Sequence, residues 1–95
     1  MKSDNIIFIK GNREFEYSFK VEEKKVLLKR TVRDTNNGEN KDYWEMEIPC
    51  DLRSRSVHSF VQSQAKRALN NVIRILSDSQ KVFVNNWLDK MIGSL

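Results

Sequence analysis

The first half of the chain alternates apolar and polar positions with a period of two. Between residues 13 and 21 the apolar side chains are Phe15, Tyr17, Phe19 and Val21. Because successive side chains of a strand point to opposite faces, this pattern predicts a half-buried antiparallel strand. The same alternation predicts strands over 26–33 and 41–48, and a short apolar run predicts a first strand over 6–10.

The first long turn fixes how two of these strands pair. A two-residue turn at Glu23 and Lys24 places Val21 opposite Val26 and brings Phe19 opposite Leu28. This register keeps the apolar faces together, whereas a slip of one residue would move one strand's apolar side chains to the other face.

The next connection is polar and contains Asn37-Gly38. A two-residue turn there would pair Leu28 with Glu47 and mix the faces. A three-residue loop over 36–38, with Gly38 in the left-handed conformation of a bulge, pairs Leu28 with Met46 instead. It also places Arg30 opposite Trp44, where we expect the guanidinium to stack on the indole.

The second half repeats apolar residues at spacings of three and four. Such spacing predicts two amphipathic helices, over about 56–76 and about 79–92. Ser54 or Ser56 is the expected cap of the first helix, and Ser77 to Gln80 has the form of a capping box for the second. Residues 81–84 have a strand-like composition, so helix and strand both stay open there. The predicted buried stripes are Val57, Phe60, Val61, Ala65, Ala68, Leu69, Val72, Ile73 and Leu76, then Phe83, Val84, Trp87, Leu88, Met91 and Ile92.

Together these elements predict one α+β domain over residues 1–95. An antiparallel meander of three to four strands (about 6–48) is followed by the two helices, packed on one sheet face. The helices carry the apolar stripes that can cover the aromatic face of the sheet.

Composition argues against several function classes. Cys50 and His58 are the only cysteine and histidine, so one chain cannot form a disulfide or a Cys/His metal cluster. We find no nucleophile, phosphate-loop or metalloprotease motif, and expect no enzyme activity, catalytic residue, metal or cofactor. No apolar run reaches the ~18 residues of a membrane helix, and the run at 6–9 is too short for a secretory signal. We therefore expect a cytoplasmic protein that does not enter membranes.

The charge is divided unevenly along the chain. Residues 1–51 contain ten Lys and Arg against eleven Asp and Glu, a net charge of −1. Residues 52–95 contain seven against two, a net charge of +5, and the two sums give the total of +4. An excess of positive charge on one part of a small domain is typical of nucleic-acid binding.

The candidate contacts lie in the first helix and the segment before it. Arginine and asparagine hydrogen-bond phosphates and base edges, and a helix start rich in Arg and Ser suits an anion. The predicted nucleic-acid-binding residues are Arg53, Arg55, Lys66, Arg67, Asn70 and Arg74. The same residues are also typical of an ordinary solvated helix face.

The alternative function is protein–protein interaction. A small inhibitor, an immunity or anti-defence protein of a phage or mobile element, and a subunit of a larger assembly all fit the length. Trp44, Trp87 and Met91 are residue types that are frequent in interfaces, although their spacing favours the core. A homodimer through the sheet edges or the last helix is a further expectation.

Overall fold

The computed structural model describes residues 3–95 as one antiparallel sheet followed by two helices. The elements are β1 (Ser3–Lys10), β2 (Arg13–Val21), β3 (Lys25–Asp34), β4 (Asn40–Pro49), α1 (Val57–Val72) and α2 (Asp78–Gly93). The strand order is β1-β2-β3-β4, so each strand pairs with its neighbour in the chain. The predicted α+β meander with two following helices is confirmed.

The predicted register of the strands is confirmed as well. Val21 pairs with Val26 and Phe19 with Leu28 across β2 and β3. Leu28 pairs with Met46 across β3 and β4. One face of the sheet therefore collects the aromatic and branched side chains, as the alternation requires.

The loop between β3 and β4 differs from the prediction. The Asp34 N–H donates to the Glu39 carbonyl at 2.8 Å, so the loop has four residues, 35–38, rather than three. Gly38 has the expected left-handed conformation, with φ at 71°. Two side-chain oxygens at this loop accept backbone N–H groups and favour the longer turn. Pairing then skips Lys41, and this bulge restores the predicted register in the rest of β4.

The core lies between the helices and the aromatic face of the sheet. Helix α1 contacts β4 and helix α2 contacts β2. The Trp87 ring meets Phe19 edge-on, and its indole N–H donates to Asp4 on β1 at 3.1 Å. The most deeply buried side chains from both layers are Phe15, Tyr17, Phe19, Val26, Leu28, Ile48, Val61, Leu69, Val84 and Leu88.

Helix α1 ends at Val72, four residues before the predicted end. Arg30 is only 7% exposed, and its guanidinium donates to the Val72 carbonyl at 2.9 Å and to the Asp42 carboxylate. A cation there satisfies a carbonyl that has no partner within the helix. Arg30 lies opposite Trp44 as predicted, but its guanidinium bonds the helix end and Asp42. The chain then turns, and Leu76 reaches the core from outside the helix.

Helix α2 begins with the predicted capping box. The Ser77 hydroxyl accepts the Gln80 N–H, and the Gln80 side chain accepts the Ser77 N–H. Residues 81–84, whose composition was compatible with both helix and strand, are helical. Phe83 is exposed, contrary to its predicted place in the buried stripe.

Candidate nucleic-acid interface

The predicted contact residues follow α1 from end to end. Arg53 and Arg55 lie in the exposed segment before the helix, and Arg67 and Asn70 are exposed on its outer side. Arg74 is exposed in the turn after the helix rather than on it, because α1 ends early. A helix of 16 residues is about 24 Å long. The set therefore forms an elongated surface and not a pocket.

Lys66 is separated from this set by its partners. Its ammonium lies 2.9 Å from the Asp89 carboxylate and donates to the Asn85 side chain at 3.0 Å, both on α2. Lys66 therefore joins the two helices, and its charge is balanced locally.

Four arginines on this surface have no acidic partner. The side chains of Arg53, Arg55, Arg67 and Arg74 form no ion pair or hydrogen bond with any residue of the described range 3–95. No Asp or Glu occurs from residue 52 to residue 77. By contrast, the sheet half pairs many of its cations with nearby acids: Lys20 with Glu22, Lys25 with Glu47, Arg30 with Asp42, Arg33 with Glu16 and Lys41 with Glu39.

Phe60 lies on this surface, although its spacing along the chain predicts a place in the core. Its ring is 44% exposed. The buried stripe of α1 follows Val57, Val61, Ala65 and Leu69 at a spacing of four, and Phe60 lies about 100° around the helix from Val61. It is two turns from Arg67 on nearly the same side. A helical projection centred on the spacing-of-four stripe could have identified it.

The start of α1 leaves backbone donors free for a ligand. Ser56 occupies the N-cap position, as one of the two expected caps, but its side chain makes no capping hydrogen bond. No acidic residue lies in the first turn. Arg53 and Arg55 therefore come shortly before a helix end whose partial positive charge is not offset by a cap.

The open face of the sheet is less suited to phosphate. The Tyr43 hydroxyl donates to the Glu45 carboxylate at 2.7 Å, and this bond raises the pKa of Tyr43 above its ordinary value. Glu14 lies opposite Arg33 as predicted, yet the carboxylate nearest the guanidinium belongs to Glu16, at 3.9 Å. Tyr43, the exposed aromatic residue of this face, is therefore hydrogen-bonded to a carboxylate.

Two features bear on other kinds of site. Within residues 3–95, no three His, Cys, Asp or Glu side chains are grouped so that they could hold a metal ion. Cys50 is half-buried, and burial, with a smaller effect of Asp51, raises the pKa of its thiol. A thiol with a raised pKa is mostly protonated near neutral pH and is a poor nucleophile.

Comparison with protein-family models, with curated proteins and with solved structures finds no match to this chain. None of the helices in the described range has both the length and the apolar character needed to cross a membrane.

Proposed function

We propose that the protein binds nucleic acid, with a preference for single strands, along the outer side of α1. The binding surface consists of Phe60, Asn70 and the four unpaired arginines, Arg53, Arg55, Arg67 and Arg74. The arginines contact phosphates, and Phe60 stacks on a base.

The observation that supports this proposal is the contrast in charge pairing between the two halves of the molecule. Many cations of the sheet half form ion pairs, whereas the arginines around α1 form none with any residue of the described range 3–95. Unpaired cations repel one another and gain nothing from the fold. An external polyanion supplies the counter-charge, and release of its condensed ions provides the binding free energy.

Phe60 supports single strands over duplexes. Its half-exposed ring lies between the arginines at the start of α1 and Arg67. Bases of a single strand can stack on such a ring, whereas paired bases in a duplex present only their edges. Arginines on both sides of the aromatic can follow the backbone of the same strand.

Fluorescence anisotropy with labelled single-stranded and duplex oligonucleotides, repeated over a range of salt concentrations, tests the proposal. Four arginine–phosphate contacts predict a slope of log K against log salt of about −2.8 on single strands. The double variant Arg67→Gln/Arg74→Gln should reduce the slope to about −1.4. The control Lys20→Gln/Arg33→Gln removes the same charge from the sheet half and should leave the slope unchanged.

The stacking contact has its own matched pair of variants. Phe60→Leu should weaken single-strand binding by about tenfold, the loss of one base stack. Tyr43→Leu removes an exposed aromatic from the open sheet face and should have little effect. The proposal would be refuted if Arg67→Gln/Arg74→Gln and Lys20→Gln/Arg33→Gln lost the same affinity for single strands. It would also be refuted if the native protein bound no nucleic acid at low salt.

A protein partner is the second candidate function. Trp87 and Met91 are buried in the core and are unavailable for it. The observation that favours it is the exposure of Val82 and Phe83 together at the start of α2. Apolar contacts of this kind tolerate salt. This alternative would be supported by a partner protein that stays bound at high salt and is lost in Val82→Ser/Phe83→Ser, if the native protein binds no nucleic acid.

A further inference from the structure

The outer edge of β1 is free to pair. Lys10 and Arg13 close the two-residue turn between β1 and β2, and the pairs of an antiparallel ladder alternate. The even-numbered residues of β1 therefore bond to β2, while Ser3, Asn5, Ile7 and Ile9 direct N–H and C=O groups away from the sheet. In the described residues, no strand occupies that side.

The opposite edge of the sheet is protected. By the same alternation, the outward-bonding residues of β4 are Tyr43, Glu45, Glu47 and Pro49. The Tyr43 N–H is taken by the Asp42 side chain at 2.8 Å, and proline has no N–H. The two glutamates would repel a second copy, and the bulge at Lys41 interrupts the edge. Charges, bulges and proline are the devices that prevent edge pairing.

The free edge of β1 has no proline and no bulge, and its two charged residues, Asp4 and Lys10, lie near its ends and have opposite signs. It is a regular strand of eight residues with an apolar middle. Ile7 is 53% exposed and Ile9 more so, both on the open face. A long, regular and apolar edge strand is a template for another strand.

We propose that two copies of the protein pair through β1 to form one continuous eight-stranded antiparallel sheet. The sequence of β1 is complementary to itself about Ile7. With Ile7 opposite its counterpart, Ile6 meets Phe8, and Asp4 meets Lys10 of the other copy. This register joins outward-facing groups of residues 5, 7 and 9 in about six hydrogen bonds. A shift of two residues in either direction keeps the ladder but removes the pairing of opposite charges.

The charged pair at each end is free to form. The indole of Trp87 uses only the Oδ2 atom of Asp4. One donor of the Lys10 ammonium goes to the Ile75 carbonyl, and two donors remain. Phe83 packs edge-on against Phe8, so α2 of each copy would border the new strand pair and shield its apolar side chains.

Mass measurement in solution tests the dimer. The full chain is 11.2 kDa, and light scattering at micromolar concentrations should give twice that mass. Ile7→Lys places two like charges opposite each other at the two-fold axis and should give a monomer. Tyr43→Lys introduces a lysine at an equally exposed side chain (55% exposed) on β4, the opposite edge of the sheet, and should stay dimeric. A monomeric native protein, or an Ile7→Lys dimer, overturns the proposal.

Cysteine crosslinking tests the register. In a Cys50→Ser background, Ile7→Cys puts two thiols opposite each other, with Cα atoms about 5.5 Å apart, within reach of a disulfide. Ile9→Cys is on the same edge and face, but its two copies would lie about 14 Å apart. Oxidation should crosslink the first variant and not the second, and equal crosslinking would refute this pairing. Neither experiment involves nucleic acid, so the dimer and the proposed function can fail separately.

Discussion

Replacing Arg30 by methionine tests how the sheet holds the C-terminal end of α1. Methionine keeps an apolar stem at a site that is almost fully buried and removes only the guanidinium. The Val72 carbonyl then loses its donor, and the end of the helix loses a nearby cation. We expect the last turn of α1 to loosen while the strands below it stay intact.

The magnitude follows from the two partners of Arg30. A hydrogen bond from a charged donor contributes about 1.5–3 kcal/mol. The Asp42 side chain is more than half exposed, so solvent screens its ion pair to about 1 kcal/mol or less. Removing the burial cost of a charge offsets part of both contributions. The free energy of unfolding should fall by about 2 kcal/mol in Arg30→Met and by less than about 1 kcal/mol in Asp42→Asn.

Urea denaturation followed by the fluorescence of Trp44 and Trp87 measures both values. Hydrogen exchange should accelerate at the amides of residues 69–73 in Arg30→Met, with little change in β2. An equal loss of stability in Asp42→Asn and Arg30→Met would mean that the ion pair rather than the helix end holds the arginine. Unchanged exchange at those amides in Arg30→Met would likewise show that Arg30 does not hold the end of α1.

Three further predictions concern a turn, a helix cap and the core. Gly38→Ala should lower the free energy of unfolding by about 1 kcal/mol because φ is positive there. Gly93 has open space around it, so Gly93→Ala should leave the melting temperature unchanged or raise it. Ser77→Ala removes the capping hydroxyl and should lower the free energy of unfolding by about 1 kcal/mol in the same melts. If Gln80→Ala left stability unchanged, that result would contradict a capping box in which both side chains contribute. Burial raises the pKa of Tyr17, although the nearby guanidinium lowers it in part. The folded state thus holds this proton more tightly than the unfolded chain, so the associated stability is full below the ordinary value of 10.0 and is lost as pH rises through the folded pKa. Tyr17→Phe should flatten that alkaline decline, and an equally steep decline in the variant would exclude Tyr17 as its cause.

The fold could be predicted because its information is local. A period of two marks each long strand, and a shift of one residue would expose a whole apolar face, so few registers are acceptable. The loop over 35–38 escaped this argument because the register can be reached in two ways. A three-residue loop and a four-residue loop with a bulge at Lys41 place Leu28 opposite the same partner.

The end of α1 could not be predicted because its cause is distant in the chain. Ile73 and Leu76 continue the apolar spacing, so the pattern runs past Val72. The helix ends where Arg30, some forty residues earlier, bonds its last carbonyl. The spacing of apolar residues shows which residues are buried but not whether they are helical. Ile73 and Leu76 are buried from the turn that follows the helix.

The candidate site was predicted in part, for a similar reason. Charge counts identified the basic half, and all four predicted arginines are exposed, as contact with a ligand requires. Lys66 differs because Asp89, its partner on α2, becomes a neighbour only after the helices pack. The exposure of Phe60 likewise depends on which of two adjacent stripes faces the sheet.

The two proposed surfaces are compatible in one assembly. Antiparallel pairing through β1 creates a two-fold axis perpendicular to the sheet, which places both helix layers on the same face. Helix α2 lies next to the axis, and α1 lies outside it, over the far side of the sheet. With strands spaced about 4.8 Å apart, the two α1 helices would be about 30 Å from each other. Their unpaired arginines would then face the same side, so one strand of sufficient length could engage both copies at once and gain affinity from the linkage. Dimerisation would leave Phe60 and the arginines before and on α1 uncovered, because α1 contacts β4, the edge opposite to the one that pairs. Arg74 lies nearer to the pairing strand, since the carbonyl of the next residue, Ile75, accepts from Lys10.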